Sequence, residues 1–533
     1  MINSVNRSKT VLLTIGLCYF LVTAKFFYTQ IVRYTSQSNF LTSQSYKTTT
    51  VKPESGSILS SDGSTLLTFQ TVYKVSLYKP DLTTQLELLP QVLTTINPDI
   101  NPADLDKIDK FITNIKLKWI NLSSIFTQEQ INNLHDPGIV SEKYNQPVYP
   151  EDSIGKLFLN EHSLQSHYKR ELFGKVGFSW ESKDAVGQTV LSHPSWIIDP
   201  INGQNISTQV NRQIQYLVED TLSQGIHNFS ADSGEILILN PQSGGIIAMS
   251  ALTASASSES SNSATYFNNP IISNLFEPGS IIKPLIMAAA LDSGSIDSNY
   301  ICQKCDRPIQ IGGYSISNWD SSFHPQTDLR DIIKNSDNIG MSYIMESMGY
   351  DRFIKYFNLL GFDKKTNIDL PNETRPIVKT YWPEIDLATA SFGQGFAVTQ
   401  IQMLTAFNTL ANQGQRVSPH FNNNYPLQTV KIYQPETVEA VNHILQYSVE
   451  NGAVAKFKPA NLEVCGKSGT SQVAVKGGYS DTSTIASYIG FSPCQNPLFT
   501  MIVTIHNPRT SPWGSSTAAP IWYELASKIP SLL

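Results

Sequence analysis

The feature that most constrains this chain is a serine and a lysine three residues apart, Ser280 and Lys283, just before an apolar run. The run, Leu285 to Ala290, consists of good helix formers. Residues three apart share one face of a helix, so the amine is expected beside the hydroxyl. Pro278-Gly279 interrupts the preceding chain and predicts that Ser280 lies at or near the helix N-terminus, where backbone N–H groups favour negative charge. A serine nucleophile needs a neighbouring base. The pair is therefore a candidate catalytic unit, although this spacing alone also occurs by chance.

Two further motifs follow in a fixed order. Ser336-Asp337-Asn338 comes first, and Lys467-Ser468-Gly469-Thr470 comes second. Taken singly, Ser336 and Asn338 could be a helix N-cap pair and Lys467 a solvated charge at a strand edge. As an ordered set, the three motifs resemble the signature of the penicillin-binding proteins and serine β-lactamases.

The N-terminus predicts a membrane anchor. Val11 to Val32 is apolar except for Lys25, and Arg7 and Lys9 precede it. As a helix the segment spans roughly 33 Å, enough for a hydrocarbon core of about 30 Å. The flanking basic residues predict a cytoplasmic N-terminus, with everything after residue 32 outside. A cleaved signal peptide is the competing interpretation, but no small-x-small site follows the uncharged core.

Five cysteines fit neither a disulfide scaffold nor a full zinc site. Cys302 and Cys305 form a lone Cys-x-x-Cys that is compatible with a local disulfide or with two free thiols. Cys465 is interpreted as a buried strand residue rather than a nucleophile. The net charge of −6 gives no electrostatic reason to expect nucleic acid as a partner.

The secondary-structure pattern predicts one sheet built from both ends of the C-terminal half. A helix is expected over 210–223, a hairpin over 235–250, strands over 485–491 and 498–506, and a helix over 518–528, with apolar helices between. In residues 33 to about 205, short β-rich segments alternate with polar linkers. The polar run from Ala254 to Ala264 predicts an exposed loop. Strands at both ends with helices between indicate one sheet assembled from the N- and C-terminal parts of the domain, with a helical insert.

Beyond the three motifs, the chain resembles the class B penicillin-binding proteins, which are bitopic peptidoglycan transpeptidases. The similar segments are Gly234 to Ser250, Phe276 to Ser280, Ser391 to Gly395 with Val398 to Gly414, Gly466 to Gln472 and Tyr488 to Phe491, with Tyr168, Leu172 and Gly174 in a pedestal motif. The resemblance implies an α+β fold of the serine β-lactamase/penicillin-binding transpeptidase type, which is an antiparallel sheet with a helical insert. An elongated β-rich pedestal and one transmembrane helix are expected to precede it. The expected domains are a cytoplasmic tail (1–10), the anchor (11–32), the pedestal (33–205) and the transpeptidase domain (206–533).

In one motif, the chain departs from the sequence that is typical of the family. The early Arg-Gly-x-Ile-x-Asp-Arg-x-Gly motif survives only as Ser55 to Gly63, in which serines replace both arginines and the motif's aspartate. The salt bridges of those residues are therefore not expected in the pedestal.

The resemblance also implies a role for each motif residue. Ser280 would attack the carbonyl between the last two D-alanines of a stem peptide, and Lys283 would be its base. Ser336 would relay the proton, Asn338 would hold Lys283 and the substrate amide, and Lys467 would be a second cation. Residues Ser468, Gly469 and Thr470 would bind the substrate carboxylate and complete the oxyanion hole. Neither a metal nor an organic cofactor is expected.

Two rival functions remain open at this point. A β-lactamase or β-lactam-binding sensor shares the acylating core, but the Glu-x-x-Leu-Asn segment of class A β-lactamases does not occur between Asn338 and Lys467. A non-catalytic wall-synthesis scaffold is the second rival. The expected partners are stem peptides, β-lactams as inhibitors, and a SEDS-family glycosyltransferase. The expected location is the outer face of the bacterial cell membrane, whereas a division role and an elongation role are not distinguished.

Overall fold

The computed structural model describes residues 2–32, 46–151, 154–182, 196–254, 268–475 and 478–533. Contacts divide the chain into two compact units: Met1–Ser55 with Phe173–Gln204, and Gly56–Leu172 with Asn205–Leu533. Apart from Ala254, the loop predicted at 254–264 lies outside the described residues, and so do parts of the predicted pedestal (33–45, 152–153 and 183–195).

The described helices and strands are numbered in chain order. The helices are α1 (Ile2–Phe27), α2 (Leu89–Ile96), α3 (Pro102–Thr113), α4 (Gln128–Asn132), α5 (Lys156–Leu159), α6 (Leu164–His167), α7 (Lys169–Phe173), α8 (Arg212–Asn228), α9 (Pro270–Ser273), α10 (Lys283–Asp292), α11 (Leu329–Lys334), α12 (Asn338–Leu360), α13 (Glu384–Ala390), α14 (Gln400–Ala411), α15 (Pro435–Asn451) and α16 (Ala518–Lys528). The strands are β1 (Tyr46–Val51), β2 (Ile58–Leu59), β3 (Thr65–Tyr78), β4 (Trp119–Phe126), β5 (Ile139–Val148), β6 (Gly177–Ser182), β7 (Trp196–Ile198), β8 (Ile206–Ser207), β9 (Ser233–Leu239), β10 (Ile246–Thr253), β11 (Ile301–Cys302), β12 (Ile309–Ile311), β13 (Tyr314–Ile316), β14 (Thr327–Asp328), β15 (Gln415–Val417), β16 (Thr429–Lys431), β17 (Cys465–Val475), β18 (Gly478–Ser492) and β19 (Phe499–His506).

The first unit contains the N-terminal helix and a small sheet. Helix α1 continues through a π-helical turn at Tyr28–Val32. Within the described residues, one helix is long and apolar enough to cross a membrane, Lys9–Ile31, and none of its apolar window is buried. The sheet is antiparallel with the order β1-β6-β7.

The N-terminal part of the second unit is β-rich, as predicted for this region. Its sheet has the order β4-β3-β2-β8, and β5 also pairs with β3. Helices α2 and α3 bury Leu93, Ile108 and Phe111 against Val75 and Phe126 of the sheet. The alternating burial of β4 is the pattern of a strand with one face on the core.

A five-stranded antiparallel sheet organises the rest of the second unit. Its order is β10-β9-β19-β18-β17, so the hairpin at the start of the region and the strands at its end form one sheet. In β9, an interior strand between β10 and β19, Ile236 to Leu239 are all buried, which requires cover on both faces. Helices α8 and α16 pack on the sheet in a core that includes Leu222, Trp522 and Leu525.

Helices α9 to α15 form the helical insert between β10 and β17. Lys283 to Ala290 of α10 are all buried, and beyond Lys283 they are apolar on all sides, as expected for a core helix. Every residue of α14 is buried as well, although the helix carries polar side chains such as Gln400 and Asn408. The predicted sheet, hairpin and C-terminal helix are confirmed. The predicted helix over 210–223 is longer than expected and ends at Asn228.

Candidate active site

The Ser280–Lys283 pair lies at the junction between a short 3-10 helix, Gly279–Ile282, and α10. Gly279 has φ +57°, a left-handed conformation that glycine adopts without strain, and it turns the chain into this helix. Lys283 opens α10 and Pro284 follows in the first turn, where a missing N–H costs little. Ser280 therefore lies at a helix start, as predicted.

The second motif lies in the turn between α11 and α12. Ser336 has φ +54°, a strained value for a residue with a side chain, and its Oγ lies 2.9 Å from Ser280 Oγ. Lys283 Nζ lies within hydrogen-bond distance of three oxygens: Ser336 O at 2.5 Å, Ser336 Oγ at 3.2 Å and Asn338 Oδ1 at 2.7 Å. The hydroxyl of Ser336 thus lies between the serine and the lysine of the first motif.

The third motif lies on β17, which is an edge strand of the sheet, beside the 3-10 helix. A Cβ on Gly469 would be 2.8 Å from Ile281 Cγ2, so only glycine lets the strand approach the serine turn this closely. Lys467 is only 4% exposed, and its Nζ donates to Ser468 O at 2.8 Å. Thr470 Oγ1 accepts a hydrogen bond from Gly514 N at 3.0 Å.

Burial dominates the electrostatics of both lysines. It holds the pKa of Lys283 well below the usual range, and the Lys467 cation lowers that pKa further, while the charge of Asp337 opposes the shift. Burial also lowers the pKa of Lys467 from 10.5 to about 8. At neutral pH, Lys467 therefore remains mostly charged, while the shift in the pKa of Lys283 is in the direction that favours the neutral amine.

The structure brings the predicted residues to one place, but not all by direct contact. Ser280, Lys283, Ser336 and Asn338 form a continuous hydrogen-bond network, whereas Lys467 acts on Lys283 through its charge. The N-cap alternative is wrong in detail, because the residue that caps α12 is the middle residue of the motif, Asp337.

Sequence reasoning missed several residues that hold this network in place. Gly279 N donates to Gly393 O at 3.1 Å, and a Cβ on Gly393 would lie 2.2 Å from Gly279 O. Glu277 accepts from Gly395 N and from the Tyr479 hydroxyl, both at 2.9 Å. The signals for these contacts were the resemblances of the Phe276 to Ser280 and Ser391 to Gly395 segments to family segments.

Two exposed tryptophans adjoin the site. Trp319 follows Asn318, whose Oδ1 accepts from Asn338 N at 2.7 Å, and Trp513 precedes Gly514. Their ring centroids are 4.9 Å apart in an edge-to-face arrangement. In the sequence, each tryptophan is thus next to a residue that hydrogen-bonds the second or the third motif, at Asn338 or Thr470.

The cysteines form two disulfides in the described chain. Cys302 pairs with Cys305, which decides the question that the sequence left open. Cys465 is a buried strand residue, as interpreted, but it also pairs with Cys494. Sequence reasoning missed this bond, because the β17–β18 register that brings the two residues together is a tertiary feature.

The pedestal-motif residues also have defined partners. Within the second unit, the Tyr168 hydroxyl donates to the buried Asp369 at 2.6 Å, and Leu172 O accepts from Gly56 N at 2.8 Å. In the serine-substituted motif, Asp62 accepts from Ser60 Oγ at 2.5 Å, and hydrogen bonds from the neighbouring serines lower its pKa to about 2. Asp62, which stands at a variable position of the motif, is thus held by its serine neighbours Ser60 and Ser64.

Comparisons with known proteins identify the family of the chain. Residues 234–527 match the family of the penicillin binding protein transpeptidase domain. A protein named probable peptidoglycan D,D-transpeptidase PenA from Neisseria gonorrhoeae is 26% identical over 410 residues, covering 74% of this chain and 69% of that protein. The peptidoglycan D,D-transpeptidase FtsI of Buchnera aphidicola subsp. Schizaphis graminum is 26% identical over 451 residues, covering 80% of this chain and 77% of that protein.

The fold also has a counterpart among solved structures. Penicillin-binding protein 2X from Streptococcus thermophilus superposes with a TM-score of 0.71 at 21% identity, covering 91% of this chain and 81% of that one. At this level of identity the likeness concerns the fold, and it agrees with the predicted α+β class.

Proposed function

The chain belongs to the penicillin-binding protein transpeptidase family, and from this premise we propose that it cross-links peptidoglycan stem peptides through an acyl-enzyme on Ser280. It is a class B enzyme, a peptidoglycan D,D-transpeptidase, as the names of its relatives and the family match indicate, rather than a β-lactamase or a scaffold. The observation that carries the proposal is the hydrogen-bond chain that runs from the buried Lys283 through the partly buried Ser336 to Ser280.

Lys283 is proposed as the general base. A neutral amine has two N–H donors and one lone pair. The two shorter contacts of Lys283, to Ser336 O and Asn338 Oδ1, use the donors, and the lone pair then faces Ser336 Oγ. The depressed pKa favours this neutral form near pH 7, as a general base requires.

Ser336 is proposed as the proton relay. When Ser280 Oγ attacks the carbonyl between the two terminal D-alanines, its proton passes to Ser336 Oγ, whose own proton passes to Lys283. The proton returns by the same path to the amine of the departing D-alanine, and the peptide carbonyl remains on Ser280 as an ester. The amine of a second stem peptide then attacks this ester, which releases Ser280 and forms the cross-link.

Strand β17 is proposed as the substrate-binding edge. The Lys467 cation and the hydroxyls of Ser468 and Thr470 would bind the terminal carboxylate of the donor peptide. The backbone N–H groups of Ser280 and Thr470 would form the oxyanion hole, where one donor typically contributes about 3 kcal/mol. The closeness of Gly469 to Ile281 supports this assignment, because it brings the strand backbone beside the nucleophile.

Helix α1 is proposed as a single-pass anchor, with the catalytic domain on the outer face of the membrane. Arg7 and Lys9 before the apolar segment support this orientation. The pedestal is proposed to extend over residues 33–205 and the transpeptidase domain over 206–533. A SEDS-family glycosyltransferase is the proposed partner for strand synthesis.

The test is covalent labelling of the full chain, purified in detergent, with a fluorescent penicillin. We expect one label per wild-type chain, none on Ser280→Ala, and normal labelling of Ser527→Ala, an exposed serine on α16. We also expect the acyl-enzyme to persist for many minutes. Label that survives in Ser280→Ala refutes the assignment of the nucleophile, and hydrolysis of the label within seconds refutes the transpeptidase in favour of a β-lactamase.

A further inference from the structure

The segment Ser317 to His324 wraps around the start of α12. Asn318 Oδ1 accepts from the backbone N–H groups of Asn338 and Ile339, at 2.7 and 3.3 Å. Ser317 O accepts from Asn338 Nδ2 at 3.2 Å. These contacts leave Asn338 Oδ1 facing Lys283, so this segment fixes the orientation of the amide.

His324 ends the segment on the buried carboxylate of Asp337. The His324 Nδ1 lies 2.8 Å from Asp337 Oδ2, and the other carboxylate oxygen caps α12 by accepting from Gly340 N at 2.8 Å. The Asp337 side chain is completely buried, whereas that of His324 is 28% exposed. A buried carboxylate needs partners for both oxygens, and His324 is the side chain that partners the second one.

The Cys302–Cys305 disulfide holds His324 from the other side. Cys305 O accepts from His324 N at 3.0 Å, and Cys302 pairs with Thr327 in the two-stranded sheet of β11 and β14. Both cysteines are buried. The disulfide, the backbone of His324 and the carboxylate of Asp337 thus form one continuous path to the second motif.

We propose that His324 is a positioning residue for acylation: through Asp337 it fixes the first turn of α12, and thereby the placement of Ser336 and Asn338 around Lys283. The inference rests on the proposed function of that site. His324 contacts neither Ser280 nor Lys283 in this network, so it acts only through Asp337, and the Cys302–Cys305 disulfide supports it in this role.

The physical reason is the cost of an unpaired buried carboxylate. Without His324, Asp337 can recover a partner only by rotating towards solvent, and the rotation would weaken its bond to Gly340 N and disturb the helix start. Ser336 and Asn338 flank Asp337 in the chain, so both would move. Misplacement of catalytic groups by about 1 Å can lower a rate by roughly a hundredfold.

The experiment compares His324→Ala, His324→Asn and His443→Ala in the full chain in detergent. Rapid-mixing kinetics with penicillin separate the acylation rate constant k2 from the dissociation constant Ks. We expect His324→Ala to lower k2 about tenfold or more with Ks within about twofold. His324→Asn carries a donor at the Nδ1 position and is expected to recover k2 to within about threefold of wild type. The exposed control His443→Ala is expected to match wild type.

A second pair of variants tests the support from the disulfide. The double change Cys302→Ala with Cys305→Ala keeps the Cys465–Cys494 bond and is expected to lower k2 in the same direction as His324→Ala. Thermal unfolding of each variant identifies loss of fold. The inference is overturned if His324→Ala keeps the wild-type k2. It is also overturned if His324→Asn lowers k2 as much as His324→Ala does. If His324→Ala does not fold, k2 of the other two variants decides. A k2 near wild type in His324→Asn together with a lowered k2 in the double-cysteine variant supports the inference, and any other result overturns it. A wild-type chain that penicillin does not label contradicts the proposed function instead.

Discussion

Replacing Lys467 with methionine is expected to stabilise the fold while it damages the site. Burial lowers the pKa of Lys467 from 10.5 to about 8, so the folded state disfavours this cation by about 3 kcal/mol at pH 7. Loss of the hydrogen bond to Ser468 O offsets about 1 kcal/mol of the gain. The net expectation is a free energy of unfolding about 2 kcal/mol higher than in the wild type.

The sign follows from proton linkage. Between pH 8 and 10.5 the unfolded wild-type chain keeps a proton on Lys467 that the folded chain has lost, so wild-type stability rises with pH over this window. The advantage of Lys467→Met is therefore greatest below pH 8 and disappears near pH 10, where the remaining penalty on the cation, about 1 kcal/mol, equals the contribution of the lost hydrogen bond. Thermal and urea unfolding of the full chain in detergent at pH 7 and pH 10 measure both limits.

The same change is expected to impair acylation of Ser280. The Lys467 cation lowers the pKa of Lys283, so removal of the cation raises that pKa. The acid limb of the plot of k2 against pH, where k2 falls as Lys283 is protonated, then moves to higher pH. A pH series of penicillin acylation measures the shift. The control is Lys528→Met, a half-exposed lysine paired with Glu524 on α16, whose effect on stability is expected within about 0.5 kcal/mol. A Lys467→Met chain less stable than wild type, or with an unshifted acid limb, refutes the reasoning.

Three further changes test other contacts. Burial raises the pKa of Glu219 from 4.5 to about 7, so wild-type stability falls as pH rises through that window, and Glu219→Gln is expected to remove this slope in unfolding temperatures at pH 5 and pH 8. Tyr168→Phe removes the donor to the buried Asp369 and is expected to cost about 1–3 kcal/mol in urea unfolding; an unchanged midpoint would contradict the importance of this bond. Gly393→Ala places a Cβ 2.2 Å from Gly279 O at φ +86°, and is expected to slow penicillin acylation at least about tenfold; wild-type acylation would show that the serine turn tolerates the displacement.

The local sequence pattern was sufficient to predict much of the fold. The predicted hairpin, the final strands and the helix over Ala518–Lys528 are found because their burial follows from apolar runs and periodicity that depend on near neighbours in the chain. The start of the helix at Ser280 likewise follows from Pro278-Gly279. The Cys465–Cys494 bond and the cap of α12 by Asp337 were not predicted, because both depend on which segments pack together.

The sequence by itself determined which chemical groups are present and in what order, and hence the family and the identity of the candidate nucleophile. Only the tertiary structure decided how they are arranged. It places Ser336 between Ser280 and Lys283, brings the charge of Lys467 within reach of Lys283, and sets the His324–Asp337 pair behind Asn338. The physical reason is that spacing along a helix orients residues three or four apart, whereas the pKa of a buried lysine depends on burial and charges that arrive from distant parts of the chain.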